Sequence, residues 1–401
     1  MATVLQVCGV GSSSISNTTP TFVQCANAAR SVRTVAEAEA QITYNTAGTL
    51  SNLWINVSAN TRNGAVTIVS RKNGGNGNQS ISVSASGTGA FEDTSNIDAI
   101  TAGDEVNVSL TAAGTTGTFT YRSITTLFNA AVNTVIHHAT TNKIVTFASA
   151  TRFQPLAGNR TSTVTESNHT FDFNSAGTLQ KLFLYVSANA RTTATTFGSR
   201  VNGINGALSI SVAGAGTGVF EDTANSDTIA ANDDVNYYIT SGAGTETLTY
   251  LILGVEFLTT NKKFHSISAT SSNMSAALTR YFYLGGEVTA GMATETQAQS
   301  ELNITAIASN LIVNVSANGV SAASTFSLRD DENNSALTIS ITASTTGAFE
   351  DASNTANLLP TDLVNYGIVI GATGTSITLE TVGVMFQTIT PAKRNYGYMI
   401  A

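Results

Sequence analysis

A set of acidic residues recurs three times in the sequence with constant internal spacing, and carboxylates in such sets can bind cations. The members are Glu92, Asp93 and Asp104, then Glu221, Asp222 and Asp233, then Glu350, Asp351 and Asp362. Calcium takes about six to eight oxygen ligands, which carboxylates and loop carbonyls can supply. However, the sequence lacks the Asp-x-Asp-x-Asp-Gly pattern of a calcium loop, and Asp or Asn beside Gly also suits any tight turn. A calcium site is therefore the minor interpretation, and no other metal or cofactor is expected.

An arginine recurs with the same spacing, and it could form a structural ion pair with one of these acids. Arg71, Arg200 and Arg329 each lie in an otherwise apolar, strand-like segment. A buried guanidinium must be paired to offset its lost hydration. We predict an ion pair in every repeat, and the first choice of partner is Glu92, Glu221 and Glu350. The second choice is Glu37, Glu166 and Glu295. Such a pair favours one strand register more than it adds net stability.

Residues that could act in catalysis are few, and they do not recur. The four histidines lie at non-equivalent places: His137, His138, His169 and His265. A hydrolytic triad usually uses His as its base, and the sequence has no Gly-x-Ser-x-Gly, His-Glu-x-x-His or phosphate-loop motif. We therefore predict no catalytic residues and no enzyme. His137 and His138 face opposite ways if they lie on a strand, so we interpret them as interface residues rather than metal ligands.

These residues belong to a repeat of 129 residues that extends over almost the whole chain. Three motifs and a closing phenylalanine recur at this spacing without insertion or deletion. They are VSAN from Val57, Val186 and Val315; Gly-x-Phe-Glu-Asp from Gly89, Gly218 and Gly347; Asp-x-Val-Asn from Asp104, Asp233 and Asp362; and Phe128, Phe257 and Phe386. A fixed period indicates tandem structural units. We assign repeats 1, 2 and 3 to residues 1–129, 130–258 and 259–387, followed by a C-terminal tail, 388–401.

Each repeat has the pattern of an all-β sandwich. Leu53, Ile55 and Val57 alternate with Trp54, Asn56 and Ser58, and a period of two marks a half-buried strand. About eight such segments per repeat, with turn-forming residues roughly every 8–12 positions, are typical of a sandwich or barrel. We predict three tandem antiparallel β-sandwiches of the jelly-roll type, in which the Gly-x-Phe-Glu-Asp segment forms a loop.

The connections between repeats are too short to act as flexible tethers. Only a few residues separate Phe128 or Phe257 from the next strand-like segment. We therefore expect adjacent repeats to touch and to form a compact three-lobed body rather than an extended string. The tail contains Lys393, Arg394, Tyr396 and Tyr398 and has no counterpart in the repeats. We expect it to dock onto another subunit.

Composition excludes several functional classes. Charged residues make up 11% of the chain and the net charge is −8, so the basic stripe of a nucleic-acid-binding protein is missing. No stretch approaches about 18 consecutive apolar residues, and MATVLQVCGV lacks a charged segment before its apolar part. We expect synthesis in a cytoplasm and no membrane partner.

Cys8 and Cys25 leave two alternatives, a disulfide in an oxidising environment or, in our preferred interpretation, two buried thiols.

The repeated motifs resemble those of known phage proteins. The string Gly-x-Phe-Glu-Asp-x-x-Asn followed by Asp-x-Val-Asn resembles jelly-roll domains of uncharacterised bacteriophage virion and appendage proteins of the decoration or fibre type. The step Gly103–Val106 is also similar to the turn before a late strand in C1q- and TNF-like jelly rolls, although Asn232 and Thr361 replace Gly103 in the other repeats. This resemblance implies a fold far more than a function, and it transfers no catalytic residue.

Two functional hypotheses remain. The first is a non-enzymatic virion structural protein, either a capsid decoration or cement protein or a tail or fibre component, whose partners are other virion proteins or copies of itself. The alternative is an extracellular carbohydrate-binding or adhesive surface protein that contacts host-surface glycans. A sugar platform needs exposed aromatics, but Trp54 becomes Phe183 and Ile312, which fits a packing position. The candidates left as exposed contacts are Tyr237, Tyr238, Tyr396 and Tyr398.

Overall fold

The structure is a computed structural model, and it describes residues 3–15, 18–26, 36–158, 160–270, 273–288 and 291–389. The backbone but not the side chains is described at 9–14, 141–142, 270 and 287–288. From position 390 onward the predicted tail lies outside the described residues, and so do Tyr396 and Tyr398. In the described part of the chain, the only helical elements are 3-10 turns at Glu37–Glu39, Glu166–Asn168 and Glu295–Gln297. The fold is therefore all-β, as the sequence predicts.

Repeat 1 folds into two antiparallel sheets. Its strands are β1 Thr3–Ile15, β2 Thr21–Gln24, β3 Ile42–Tyr44, β4 Gly48–Asn60, β5 Val66–Lys72, β6 Gly75–Val83, β7 Gly89–Ile100, β8 Asp104–Ala112 and β9 Phe119–Ala130. One sheet has the order β1-β9-β4-β7 and the other β2-β8-β5-β6, with β3 also on β8. If β2 and β3 count as one interrupted strand, the orders are 1-8-3-6 and 2-7-4-5. These are the two Greek keys of a jelly roll, which confirms that prediction.

Repeat 2 has the same topology. Its strands are β10 Thr134–Val145, β11 Ala150–Gln154, β12 Phe171–Phe173, β13 Gly177–Asn189, β14 Thr195–Val201, β15 Ile204–Val212, β16 Gly218–Ile229, β17 Asp233–Ser241 and β18 Leu248–Thr259. The sheet orders are β10-β18-β13-β16 and β11-β17-β14-β15, with β12 on β17. Every strand therefore has the same neighbours as its counterpart in repeat 1.

Repeat 3 keeps this order with a local change near its first strand. Its strands are β19 Lys263–Thr270, β20 Asn273–Ser275, β21 Thr279–Phe282, β22 Gly286–Val288, β23 Ser300–Glu301, β24 Ala306–Val320, β25 Ser324–Asp330, β26 Asn333–Ile341, β27 Gly347–Leu358, β28 Leu363–Val369 and β29 Gly374–Thr388. The sheets are β22-β19-β29-β24-β27 with β20 on β29, and β21-β28-β25-β26 with β23 on β28. The short β22 adds a parallel pairing to β19.

We call the sheet that contains the first and last strands of each repeat the inner sheet, because one of its faces packs on another repeat. Leu53, Ile55 and Val57 of β4 point into the sandwich and are buried. Trp54 points the other way, yet it is only 1% exposed, since Glu301 of repeat 3 lies against it. Its counterparts Phe183 and Ile312 are buried too. The series is therefore a packing position, as the substitution pattern indicates, and Trp54 packs between repeats.

The prediction of a loop at the Gly-x-Phe-Glu-Asp segment is wrong, because the segment begins strand β7. Leu53 pairs with Asp93, but Ser51 pairs with Ile97, so residues 94–96 bulge out of the ladder. The Asp93 carboxylate accepts the amide N–H groups of Ser95 and Asn96 at 3.1 Å. It thereby satisfies the donors that the bulge leaves unpaired, and the strand continues. Asp222 and Asp351 do the same in their repeats.

The VSAN motif recurs because its asparagine holds a turn. The Nδ2 group of Asn60 donates to the carbonyls of Ser84 and Gly87 at 3.0 and 3.1 Å, across the turn between β6 and β7. Asn189 and Asn318 make the same two bonds in repeats 2 and 3. This turn joins the inner sheet to the other sheet of the repeat, which we call the outer sheet. The motif therefore stabilises the connection between the two sheets.

The three repeats form a closed ring in which each repeat contacts both others. The inner sheet of repeat 1 contacts repeat 3, where Asn56 donates to the carbonyl of Thr296 at 3.0 Å. The equivalent Asn314 of repeat 3 donates to Ser167 of repeat 2 at 2.5 Å. The inner sheet of repeat 2 closes the ring on repeat 1 through Glu256, which accepts the Asn45 amide at 2.8 Å. These contacts confirm the compact three-lobed body and give it head-to-tail, pseudo-threefold symmetry.

Candidate functional site

Each recurring arginine forms a bidentate ion pair, but its partner is not the first choice made from the sequence. Arg71 donates to both carboxylate oxygens of Glu37, at 2.8 and 2.7 Å. Arg200 pairs in the same way with Glu166, and Arg329 with Glu295. The arginine comes from β5, β14 or β25, and the glutamate begins the 3-10 turn of the same repeat. The predicted partners Glu92, Glu221 and Glu350 are corrected to this second set.

Two further donors of the arginine are occupied by atoms of the same repeat. Arg71 donates to the side chain of Asn76 and to the carbonyl of Gly74, in the turn between β5 and β6. Its guanidinium lies 5.7 Å from the centroid of the Phe22 ring. The side chains of the pair are only 16% and 19% exposed, for Arg71 and Glu37 respectively. The group therefore ties a loop to a strand turn and uses four of the five guanidinium N–H donors within repeat 1.

Replacing Arg200 by Met should lower the free energy of unfolding by about 2–4 kcal/mol, because Glu166 would lose its bidentate partner while remaining mostly buried. Urea denaturation of the full chain measures this change. Glu221→Gln is the matched control, since Glu221 is exposed and is not the partner. We expect its cost to be below about 0.5 kcal/mol, as for other surface substitutions. Equal costs for the two variants would contradict the assignment.

Two of the glutamates first chosen as partners, Glu92 and Glu350, lie instead at junctions between repeats. Glu92 on β7 is close to Glu301 of repeat 3, and burial followed by repulsion from Glu92 raises the pKa of Glu301. Glu350 accepts a hydrogen bond from the Asn174 side chain of repeat 2. Burial and then the charge of Glu350 raise the pKa of Asp172 to about 6. The sheet register turns these glutamates away from the arginine of their own repeat.

The nine acids considered for calcium do not gather into a site. No three of them have ligand atoms within 4.8 Å of one another. Asp93 holds the bulge described above; burial acts to raise its pKa, but hydrogen bonds from Ser80, Asn96 and Ser95 outweigh it and lower the pKa. Asp104 accepts the amide of Thr101 and the side chain of Asn73, both at 2.7 Å, and so caps a turn. The carboxylates of Asp93 and Asp104 are thus used within their own repeat.

One acidic cluster with closely spaced ligand atoms does occur in the described part of the chain. It consists of Asp330, Asp331 and Asp362 in repeat 3. Asp331 accepts the amide of Leu363 at 3.0 Å, and Asp362 accepts that of Leu359 at 2.7 Å. Repeats 1 and 2 have Lys72-Asn73 and Val201-Asn202 where repeat 3 has Asp330-Asp331. The cluster is therefore not a feature of the repeat.

His137 lies where repeats 1 and 2 meet. Its ring nitrogens lie 3.2 Å from the side chain of Gln6 in repeat 1 and 3.2 Å from Glu256 on β18. Glu256 also accepts from the amide of Asn45 and the hydroxyl of Thr46. Burial acts to raise the pKa of Glu256, but its hydrogen bond to His137 leads the interactions that lower it. This network crosses the junction between repeats 1 and 2, and His137 is an interface residue as predicted.

Two other histidines, His138 and His265, are buried and make no hydrogen bond among the described residues. His138 on β10 and His265 on β19 are 0% and 1% exposed, and neither ring nitrogen of either residue has a hydrogen-bond partner among the described residues. His265 packs against the rings of Phe173 and Phe257, at centroid distances of 4.6 and 5.8 Å. His138 lies 6.2 Å from Phe173. Burial is the main cause that lowers the pKa of each imidazole to about 3.

The prediction that Tyr237 and Tyr238 are exposed is wrong. They are 1% and 6% exposed, respectively, and lie on β17 in the middle of the outer sheet of repeat 2. Tyr237 points into the sandwich and Tyr238 packs over Gly198 of β14, where an added Cβ would lie 2.5 Å from its ring. A tandem Tyr-Tyr pair on a strand is thus covered on both faces, which residue type alone does not reveal.

No protein-family model matches the sequence, and a search of curated proteins finds no match. Among the described residues, no helix has the length and hydropathy needed to cross a membrane. The chemistry gathered at the junctions consists of hydrogen bonds, ion pairs and buried aromatic contacts between repeats. Among the described residues, the candidate functional site is thus the set of surfaces that hold the three repeats together.

Proposed function

We propose that the chain is a non-enzymatic structural protein of a bacteriophage particle, a capsid decoration or cement protein or a tail or fibre component. The closed ring of three jelly rolls carries this proposal. Asn56 and Asn314 make equivalent contacts at two junctions, and Glu256 closes the third. A body with three similar lobes around one axis matches a threefold or quasi-threefold position on a particle.

Fusion of the three lobes favours tight attachment at such a position. Three separate domains would each lose translational and rotational freedom on binding. Lobes fixed in one ring bind as a unit, so the second and third contacts benefit from a high effective concentration. The uniform repeat length of 129 residues gives most loops of the three lobes the same length. Each lobe can therefore present the same surface to a repeated partner.

The outer sheet presents a suitable surface in every repeat. Small hydroxyl side chains lie exposed along its edge strand: Ser80 and Ser82 on β6, Ser209 and Ser211 on β15, and Thr338 and Ser340 on β26. Short side chains lose little conformational entropy when an interface forms. The aromatic residues that a sugar platform would need, Trp54, Tyr237 and Tyr238, are buried. This burial favours the particle role over the adhesive alternative.

The proposal is tested with phage particles purified on a density gradient from cells that produce the chain. We expect the chain to sediment with the particles, and cryo-electron microscopy should place a three-lobed density on a threefold or quasi-threefold axis. Arg160→Glu is the matched variant, since Arg160 pairs with Glu380 across the junction of repeats 2 and 3. It should open the ring and reduce occupancy while the circular dichroism of the strands persists. Recovery of the chain with host-surface glycans instead would support the adhesive alternative.

A further inference from the structure

Repeat 1 contains two cysteines whose thiols meet between its sheets. Cys8 lies on β1 of the inner sheet, at a bulge between Val7 and Gly9 in the pairing with β9. Cys25 directly follows β2 of the outer sheet. Their Sγ atoms are 2.6 Å apart, and both residues are at most 1% exposed. A disulfide bond has a length of about 2.05 Å, so only a small displacement separates these atoms from bonding.

We propose that Cys8 and Cys25 form a disulfide that crosslinks the two sheets of repeat 1. The bond forms by exchange with a low-molecular-weight disulfide such as oxidised glutathione. One cysteine thiolate attacks this reagent, which gives a mixed disulfide and releases one glutathione thiol. The second cysteine thiolate then attacks the protein sulfur and releases the other glutathione thiol. Two protein thiols are oxidised, and one glutathione disulfide is reduced to two glutathione thiols.

The burial of the pair determines when this exchange occurs. Only a thiolate attacks a disulfide, and burial raises the pKa of the Cys8 thiol well above its usual value. In the folded chain the reaction is therefore slow. It is faster while β1 and β2 are apart, during folding or local opening, and folding then brings the second thiol to the mixed disulfide.

The proposed disulfide lies next to the junction between repeats 1 and 2. β1 contacts β10 of repeat 2, and Gln6, two residues before Cys8, contacts His137 across that junction. Tyr44 donates to the carbonyl of Cys25 at 2.7 Å, which anchors the other end of the bond. Repeats 2 and 3 have His137 with Gln154 and Ser266 with Tyr283 at the corresponding positions. The crosslink is thus specific to the lobe whose first strand meets the histidine junction.

The test refolds the full chain from denaturant, once with reduced and oxidised glutathione and once with dithiothreitol. After refolding, the chain is denatured, alkylated and weighed intact by mass spectrometry. We expect two alkylated thiols in dithiothreitol. In the glutathione buffer we expect neither alkylation nor a glutathione adduct. The chain should weigh two hydrogen atoms less than the mass calculated for the reduced, unalkylated sequence. The oxidised chain should melt roughly 5–10 °C higher at its first transition, and dithiothreitol should reverse the shift.

Cys8→Ser is the matched control, because serine is the residue of repeat 3 at this position, Ser266. This variant and Cys25→Ser should each keep one thiol that is alkylated or bound to glutathione, and their melting temperature should not respond to oxidant. The proposal is overturned if the wild-type chain refolds in glutathione buffer with both cysteines still alkylated, or with both carrying glutathione. Adducts on both cysteines would show that the two sulfurs do not reach each other.

Discussion

Lowering the pH from 7 to 5 is expected to destabilise the folded chain by about 4 kcal/mol through His138 and His265 together. Each imidazole has a pKa of about 3 in the folded chain, against an ordinary value of 6.5. Between these values the unfolded chain binds more protons than the folded chain. The stabilisation is therefore complete above pH 6.5 and is lost as the pH falls toward 3. At pH 5 each residue contributes a loss of about 2 kcal/mol.

The groups around the two rings oppose protonation. After burial, the causes that lower these pKa values are the nearby His137 for His138, and His138 and Lys263 for His265. The aromatic rings of Phe171, Phe173 and Phe257 complete the surroundings of His265. None of these rings replaces the hydration that a charged imidazole loses on burial.

The matched variant is His138→Ile combined with His265→Ile. Isoleucine occurs at both positions in other repeats, as Ile267 and Ile136, and both of these residues are buried. Urea denaturation at pH 7.5 and at pH 5 should show that the acid-dependent loss shrinks by about 4 kcal/mol in the double variant. His169, whose pKa burial lowers to about 4, accounts for part of the remaining slope. An unchanged slope in the double variant would show that these rings do not titrate on unfolding.

Replacing Ser199 by Leu should lower the free energy of unfolding by about 3–5 kcal/mol. The Ser199 hydroxyl donates to the buried carboxylate of Asp227, which also accepts the Ala207 amide at 2.5 Å. Leucine would remove this donor and place a larger apolar group against a carboxylate that is not exposed to water. Repeat 3 has Leu328 and Ala356 at the two positions, so the fold accepts an apolar pair.

Adding Asp227→Ala to Ser199→Leu should therefore restore most of the lost stability. Repeat 2 is the suitable host, because Leu208 already matches Leu337 of repeat 3. In repeat 1 the equivalent residue is Gln79, which donates to Asp98 at 2.9 Å and would lose its acceptor. Chemical denaturation of the single and double variants gives the coupling between the two sites. If the double variant were no more stable than Ser199→Leu alone, the buried carboxylate would not be the cause of the loss.

Gly206 lies next to the Ser199–Asp227 hydrogen bond, and the residue type at this position also differs in repeat 3. A Cβ at Gly206 would lie 2.3 Å from the Ser199 hydroxyl and 2.5 Å from the Asp227 carboxylate. Repeat 3, which lacks both polar groups, has Ser335 at the equivalent position. The residues at these three positions thus change together among the repeats, as expected if the buried carboxylate requires the space.

The fold could be predicted from the sequence largely because its signals are local. Alternation over Leu53–Val57 defines a strand, and the constant period of 129 residues defines its equivalents. The ion-pair partner could not be chosen in this way, since Glu37 and Glu92 recur with the same period. Only the tertiary structure, which places the 3-10 turn of Glu37 beside β5, shows that Glu37 reaches Arg71. The strand character of the segment from Gly89 was hidden because its Asp satisfies a bulge, and residues of this type usually indicate a loop.

Which residues pair at the junctions could not be predicted, for a different reason. Gln6, His137 and Glu256 do not recur, so no pattern within the repeat marks them. Their pairing depends on how one lobe turns against the next. The angle between two lobes depends on how their inner sheets pack, and it cannot be inferred from residue spacing in the sequence.

In a ring made from one chain, the three junctions can differ in sequence, whereas in a ring of identical subunits they cannot. In a homotrimer every substitution appears three times, and a charge near the axis meets its own copies. Here Glu256 corresponds to Leu127 and Met385, and His137 to Cys8 and Ser266. One junction could therefore acquire a carboxylate and an imidazole while the others kept apolar or small residues at those positions. Fusion lets each junction of this chain change independently of the other two.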